Sequence, residues 1–155
     1  MKPSIQKALK LLRNRDGSIM VEFAIGAGLM LAAFTGTFQF GYTFLQYNNL
    51  QNAVARGARY ASLIPYDSAD STPSTAFKAA VQNMVLYGTP TTGANPVLPG
   101  LATSNVNLTV KFTNGVPALM TVSISGYTID SIFAKSSLTT KPQVAFTYQG
   151  VWSPL

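Results

Sequence analysis

The sequence predicts an α+β chain: a long hydrophobic α-helix over about 18–61, packed through its distal half on a small three-stranded antiparallel sheet, with a short extra helix over about 76–87. Three observations predict it. No proline or turn cluster interrupts residues 18–61, the twenty residues 23–42 inside that stretch are almost wholly apolar, and after residue 105 the apolar period changes from helical to two.

The chain begins with a charge asymmetry. Lys2, Lys7, Lys10, Arg13 and Arg15 against Asp16 give residues 1–17 a net charge of +4, whereas the other 138 residues carry six positive and four negative charges. The overall +6 is therefore concentrated ahead of the long helix rather than spread over a polyanion-binding face, and no nucleic-acid partner is expected. Without cysteine there is no disulfide or thiolate metal site, and without histidine the usual general base and commonest metal ligand are missing. No cofactor or metal site is expected.

In the stretch FAIGAGLMLAAFTGTFQFGY, residues 23–42, only Thr35, Thr37, Gln39 and Tyr42 offer hydrogen-bonding side chains. About 20 such residues cross the ~30 Å of hydrocarbon in a bilayer. A chain of 155 residues rarely encloses a helix that is apolar on every face, so a membrane span is the better reading than a buried soluble helix. Five basic residues precede the span, and the first one after it is Arg56, which predicts a cytoplasmic N-terminus and an extracytoplasmic remainder. A cleavable secretory signal would end its apolar core sooner than this stretch, which continues into Phe34, Phe38 and Phe40. Within the span Ala24, Gly28, Ala32 and Gly36 recur every fourth residue, the spacing for close helix-to-helix approach; the general abundance of alanine and glycine in membrane helices is the alternative.

The helix is expected to continue past the hydrocarbon. Leu50, Ala53, Val54, Gly57, Ala58 and Ala61 share one face, with Asn48, Asn52, Arg56 and Arg59 opposite, so the first face packs on a domain while the second is solvated. A Ser/Thr/Pro-rich connector, residues 62–75, leads to the short helix, capped by Ser74 or Thr75, buried through Phe77, Val81, Met84 and Val85, and stopped at Gly88. Val106, Leu108, Val110 and Phe112 then alternate along one strand, Asn114-Gly115 signals a hairpin, and Met120, Val122 and Ile124 alternate along the next. A third strand places Val144, Phe146 and Tyr148 on one face. Between the second and third, residues 126–137 are expected to form an irregular crossover that carries Tyr127, Ile129, Ile132 and Phe133 into the core. The organisation is thus a basic leader, 1–17, a long helix, 18–61, and a small globular domain, 62–155.

Gly17, the apolar residues after Ser18, Glu22-Phe23, the long helix and QNAVARGARYAS at its distal end resemble the type IV pilin-like superfamily, and more closely the TadE-like pseudopilins of tight-adherence (Tad/Flp) pili. The resemblance covers residues 10–62 and reaches the strand-rich remainder only in outline. It implies that a prepilin peptidase cuts between Gly17 and Ser18, and that other pilin or pseudopilin subunits and the pilus assembly machinery are the partners, with membrane lipid before assembly. It also implies an inner-membrane protein that reaches the pilus or cell surface, serving adhesion or surface attachment. A lone acid next to hydrocarbon costs about 2.5–3.5 kcal/mol at a helix centre and less near its end. Cleavage would create an ammonium on Ser18, four residues from Glu22, so Glu22 and Phe23 are implied to set axial register during assembly. The macrodipole at a helix N-terminus is the alternative reason for an acid there, but the pilin role accounts for Gly17 and the basic leader as well. Ser18 departs from the phenylalanine of many type IV pilins, and the additional domain favours a minor or specialised subunit.

Two rivals remain. Asp67, Asp70 and Asp130 show no catalytic spacing, so no enzyme is expected. An uncleaved single-pass anchored binding or adhesion module would share the helix and domain, and is the alternative function. The sequon at Asn107 and the scattered Lys111, Lys135 and Lys141 are read as ordinary strand and loop positions.

Overall fold

A computed structural model describes residues 16–131 and 135–154. The expected leader lies outside the described residues except for Asp16 and Gly17, as do Ile132 and Phe133. Two compact units divide between Phe40 and Gly41.

Helix α1 runs Asp16–Leu63, two residues beyond the expected limits at each end. Its part in the first unit has no buried side chain, and its most apolar window is 0% buried. The part in the second unit has one buried stripe, which contains the expected Leu50, Ala53, Val54, Gly57, Ala58 and Ala61, with Ser62 also buried at its end; Asn52, Arg56 and Arg59 are exposed and Asn48 half-buried. The spacing of three and four residues thus separates core from solvent as the sequence predicts.

Helix α2, Thr75–Tyr87, starts where the Ser74 hydroxyl accepts the Phe77 amide at 3.1 Å and stops at Gly88, whose φ of 74° closes a left-handed cap with its amide on the Met84 carbonyl. Phe77, Val81, Val85 and Leu86 are buried; Met84, expected on that face, is half-buried and Leu86 takes its place. A Cβ on Gly57 would run into the Cγ2 of Val85, so the two helices touch where only glycine fits.

Strands β1 (Val106–Thr113), β2 (Val116–Ile124) and β5 (Gln143–Thr147) form the expected three-stranded antiparallel sheet in the order β1-β2-β5. Asn114 and Gly115, at φ 54° and 80°, make the hairpin turn between the first two, the geometry that favours an Asn-Gly pair. Met120, Val122 and Ile124 on the central strand are fully buried. On β5 the expected face is only partly covered, and Phe146 remains 38% exposed.

The crossover differs from expectation. Residues 127–138 contain strands β3 (Tyr127–Asp130) and β4 (Lys135–Leu138), paired antiparallel from Tyr127↔Leu138 to Asp130↔Lys135 in a separate ribbon. Four-residue strands with one buried pair of side chains, Tyr127 and Ile129, carry too short a period to stand out in the sequence. The Tyr127 hydroxyl donates to the Pro99 carbonyl at 3.0 Å and ties the ribbon to the loop after α2.

The connector after α1 also holds more than a turn. Tyr66 is fully buried, with its ring edge-on to Phe77, Phe112 and Tyr148 at centroid distances of 5.1, 5.9 and 6.4 Å. The Tyr148 hydroxyl accepts the Tyr66 amide at 2.8 Å and lies 2.8 and 3.0 Å from the carbonyls of Val151 and Ile64, to either of which it donates.

Candidate membrane and assembly surface

The first unit presents an apolar surface. Eleven large apolar residues from Ile19 to Phe40 are exposed, with Phe23, Met30 and Phe40 each above 70%. Leaving them in water forgoes on the order of 15–35 kcal/mol at about 1.5–3 kcal/mol per side chain, more than a small domain's whole stability. Such a helix requires lipid or other apolar helices around it. It is long and apolar enough to cross a membrane. The Thr37 hydroxyl donates to the Ala33 carbonyl at 3.0 Å, satisfying it inside the helix as hydrocarbon demands.

Every described candidate residue lies on α1. Gly17, Ser18, Glu22, Phe23, Ala24, Gly28, Ala32 and Gly36 are all exposed. Successive members of the four-residue stripe turn by about 40° around the axis, so they follow one gently drifting line. A Cβ added at Gly28 or Gly36 meets nothing within 4 Å, whereas one at Gly57 meets packed atoms. Among the described residues, the glycines of the apolar half therefore have no neighbour that a side chain would meet. Glu22 is the only acid between Gly17 and Tyr66, and no basic residue lies between Ser18 and Ala55.

Among the second unit's described residues, no group of three or more His, Cys, Asp or Glu side chains can hold a metal ion. Its perturbed groups are tyrosines: burial raises Tyr66, Tyr127 and Tyr148 above the ordinary 10.0, with the nearby Asp130 adding to the effect at Tyr127. These are structural hydroxyls, engaged by backbone groups.

A hydrophobic helix long enough to cross a membrane, followed by a small α+β unit, fits a membrane-anchored class of protein. Within that class, the family model for TadE-like protein matches residues 17–59, which is consistent with a TadE-like protein of the Tad pilus system. That is a structural, pilus-related family, and the match covers the exposed stripe, Glu22 and most of the buried face of α1. Residues 60–155 lie beyond the match. No curated protein and no solved structure matches the chain.

Proposed function

We propose that this chain is a minor or specialised pseudopilin-like subunit of a Tad pilus system. The single observation that carries the reading is the coincidence of the TadE-like match with the apolar, uncovered part of α1 and its solitary acid, Glu22. Residues 23–42 span the inner membrane with the N-terminus cytoplasmic. A prepilin peptidase removes residues 1–17, and the new ammonium on Ser18 neutralises a Glu22 carboxylate within a subunit or between neighbours. Ala24, Gly28, Ala32 and Gly36 then let other pilin or pseudopilin helices replace lipid, since small side chains bring helix backbones close. The domain of residues 62–155 faces outward for adhesion or surface attachment.

The reading is mechanical, and its test is incorporation. In the native strain, Glu22→Ala is expected to lower the amount of this subunit in the sheared pilus fraction or in its assembly complex at least about tenfold, the ratio corresponding to roughly 1.4 kcal/mol. Membrane levels and the melting of the second unit should be unchanged, because Glu22 is exposed and outside that unit. Full incorporation of the variant contradicts the role of Glu22, whereas absence of the parent chain from the pilus fraction and assembly complex favours the uncleaved anchored module.

A further inference from the structure

Strand β5 ends the sheet, and no described strand pairs with its outer edge. The hydrogen-bond phase tells which groups face outward. Tyr148 donates its amide to the Ala118 carbonyl at 2.9 Å and Ile124 donates to Pro142 at 3.1 Å, so residues 142, 144, 146 and 148 bond toward β2. Gln143, Ala145 and Thr147 therefore turn their amides and carbonyls to the open edge. Gln149, next in that phase, gives its amide to the Ser62 carbonyl at 2.8 Å, closing one end of the edge against α1.

A groove runs beside this edge. One cavity of about 460 Å³ lies among Asn49, Asn52, Arg56, Val97 and Phe146. A second of about 330 Å³ continues it past Leu63, Thr147 and Gln149, and the two share Arg59 and Phe146. Arg56 and Arg59 are exposed and lie one helical turn apart. Among the described residues the salt bridge is Asp130 to Lys135, at 3.2 Å, and neither arginine has a carboxylate partner. Two uncompensated guanidinium groups beside an unpaired strand edge and a partly exposed phenyl ring combine the features of a peptide groove.

We infer that this groove receives an extended acidic segment of a partner protein, added as a strand to β5, with carboxylates on Arg56 and Arg59. Side chains two residues apart on an extended strand point the same way, about 6.6–6.8 Å apart. Positions three apart on a helix have Cβ atoms about 5–6 Å apart, so alternating carboxylates match the two arginines. Main-chain bonds to Gln143, Ala145 and Thr147 supply affinity, and the arginines select charge. The surface lies wholly within residues 41–155 and stands apart from leader removal and helix assembly, so its failure leaves those untouched.

The test uses the full chain in detergent micelles and an end-blocked eight-residue peptide in which glutamate alternates with threonine. Fluorescence anisotropy should show binding at low salt, and amide exchange at Ala145 and Thr147 should slow when the peptide is present. The double variant R56E/R59E, at exposed positions, should keep the native melt, weaken the glutamate peptide at least about tenfold and bind a lysine–threonine peptide better. Absence of binding, indifference to the double variant, or equal binding of a peptide N-methylated along its ladder-forming edge overturns the inference. Concentration-dependent self-association lost in R56E/R59E also overturns it, by assigning the groove to a second copy.

Discussion

At the residue scale, the second unit depends on a single phenol more than its sequence indicates. Tyr148 is half-buried just past the end of the edge strand, yet its hydroxyl shares the Tyr66 amide with the Val151 carbonyl and reaches two carbonyls of segments far apart in the chain. Tyr148→Phe keeps the ring and removes a hydroxyl that bridges Tyr66, Val151 and Ile64, while the Tyr66 amide keeps its 3.0 Å bond to the Val151 carbonyl, so urea unfolding of the full chain in micelles should show a loss of about 1 kcal/mol. Burial also sets the pH response. Tyr66, Tyr127 and Tyr148 titrate above 10.0 in the fold, so the folded state holds protons that the unfolded chain has released. Their contribution is complete below pH 10 and declines as pH rises through the elevated folded values. Melting temperature should therefore fall as pH rises above about 10, and less steeply in Tyr148→Phe than in the parent. A melting temperature flat across that range would contradict buried phenols. Neither tyrosine's role was legible beforehand: Tyr66 sits in a Ser/Thr/Pro-rich connector and has no periodic neighbours, so only contacts between residues distant in sequence reveal it.

At the element scale, local period carried the prediction wherever an element is long. The distal face of α1 has six members at helical spacing, all buried, because a helix of that length meets the core through one fixed stripe. The hairpin was equally legible, since Asn114-Gly115 supplies the two positive φ angles its turn needs. The β3–β4 ribbon was not, being two four-residue strands whose pairing is a tertiary fact. The contact between α1 and α2 gives the sharpest element-level test. Val85 is fully buried and branched at Cβ, so it has little freedom to yield to a methyl group on Gly57. Gly57→Ala should destabilise the second unit by about 1–3 kcal/mol in denaturant titration. Val85→Ala alone leaves a cavity, and the double variant should be more stable than the two separate losses predict. Additive losses would show that the helices do not meet at this pair.

For the molecule as a whole, two units obey different rules. Residues 41–155 enclose a core of buried apolar residues, while residues 16–40 bury none among those described and place glycines where a side chain would meet no described neighbour. The apolar helix and the residues resembling TadE-like proteins were readable directly, because hydrocarbon thickness and helical rise constrain length and composition strongly. The peptide groove was not, since it is assembled from helix, loop and strand residues that share no sequence pattern; two adjacent arginines on the solvated face of α1 were its one visible trace. The most direct measurement of the proposed function is intact-mass and N-terminal mass spectrometry of the protein recovered from native membranes and filaments. A mature chain beginning at Ser18 is the expected result, whereas a chain that retains Met1 and Gly17 or begins beyond residue 30 would contradict processing as a pilin-like subunit.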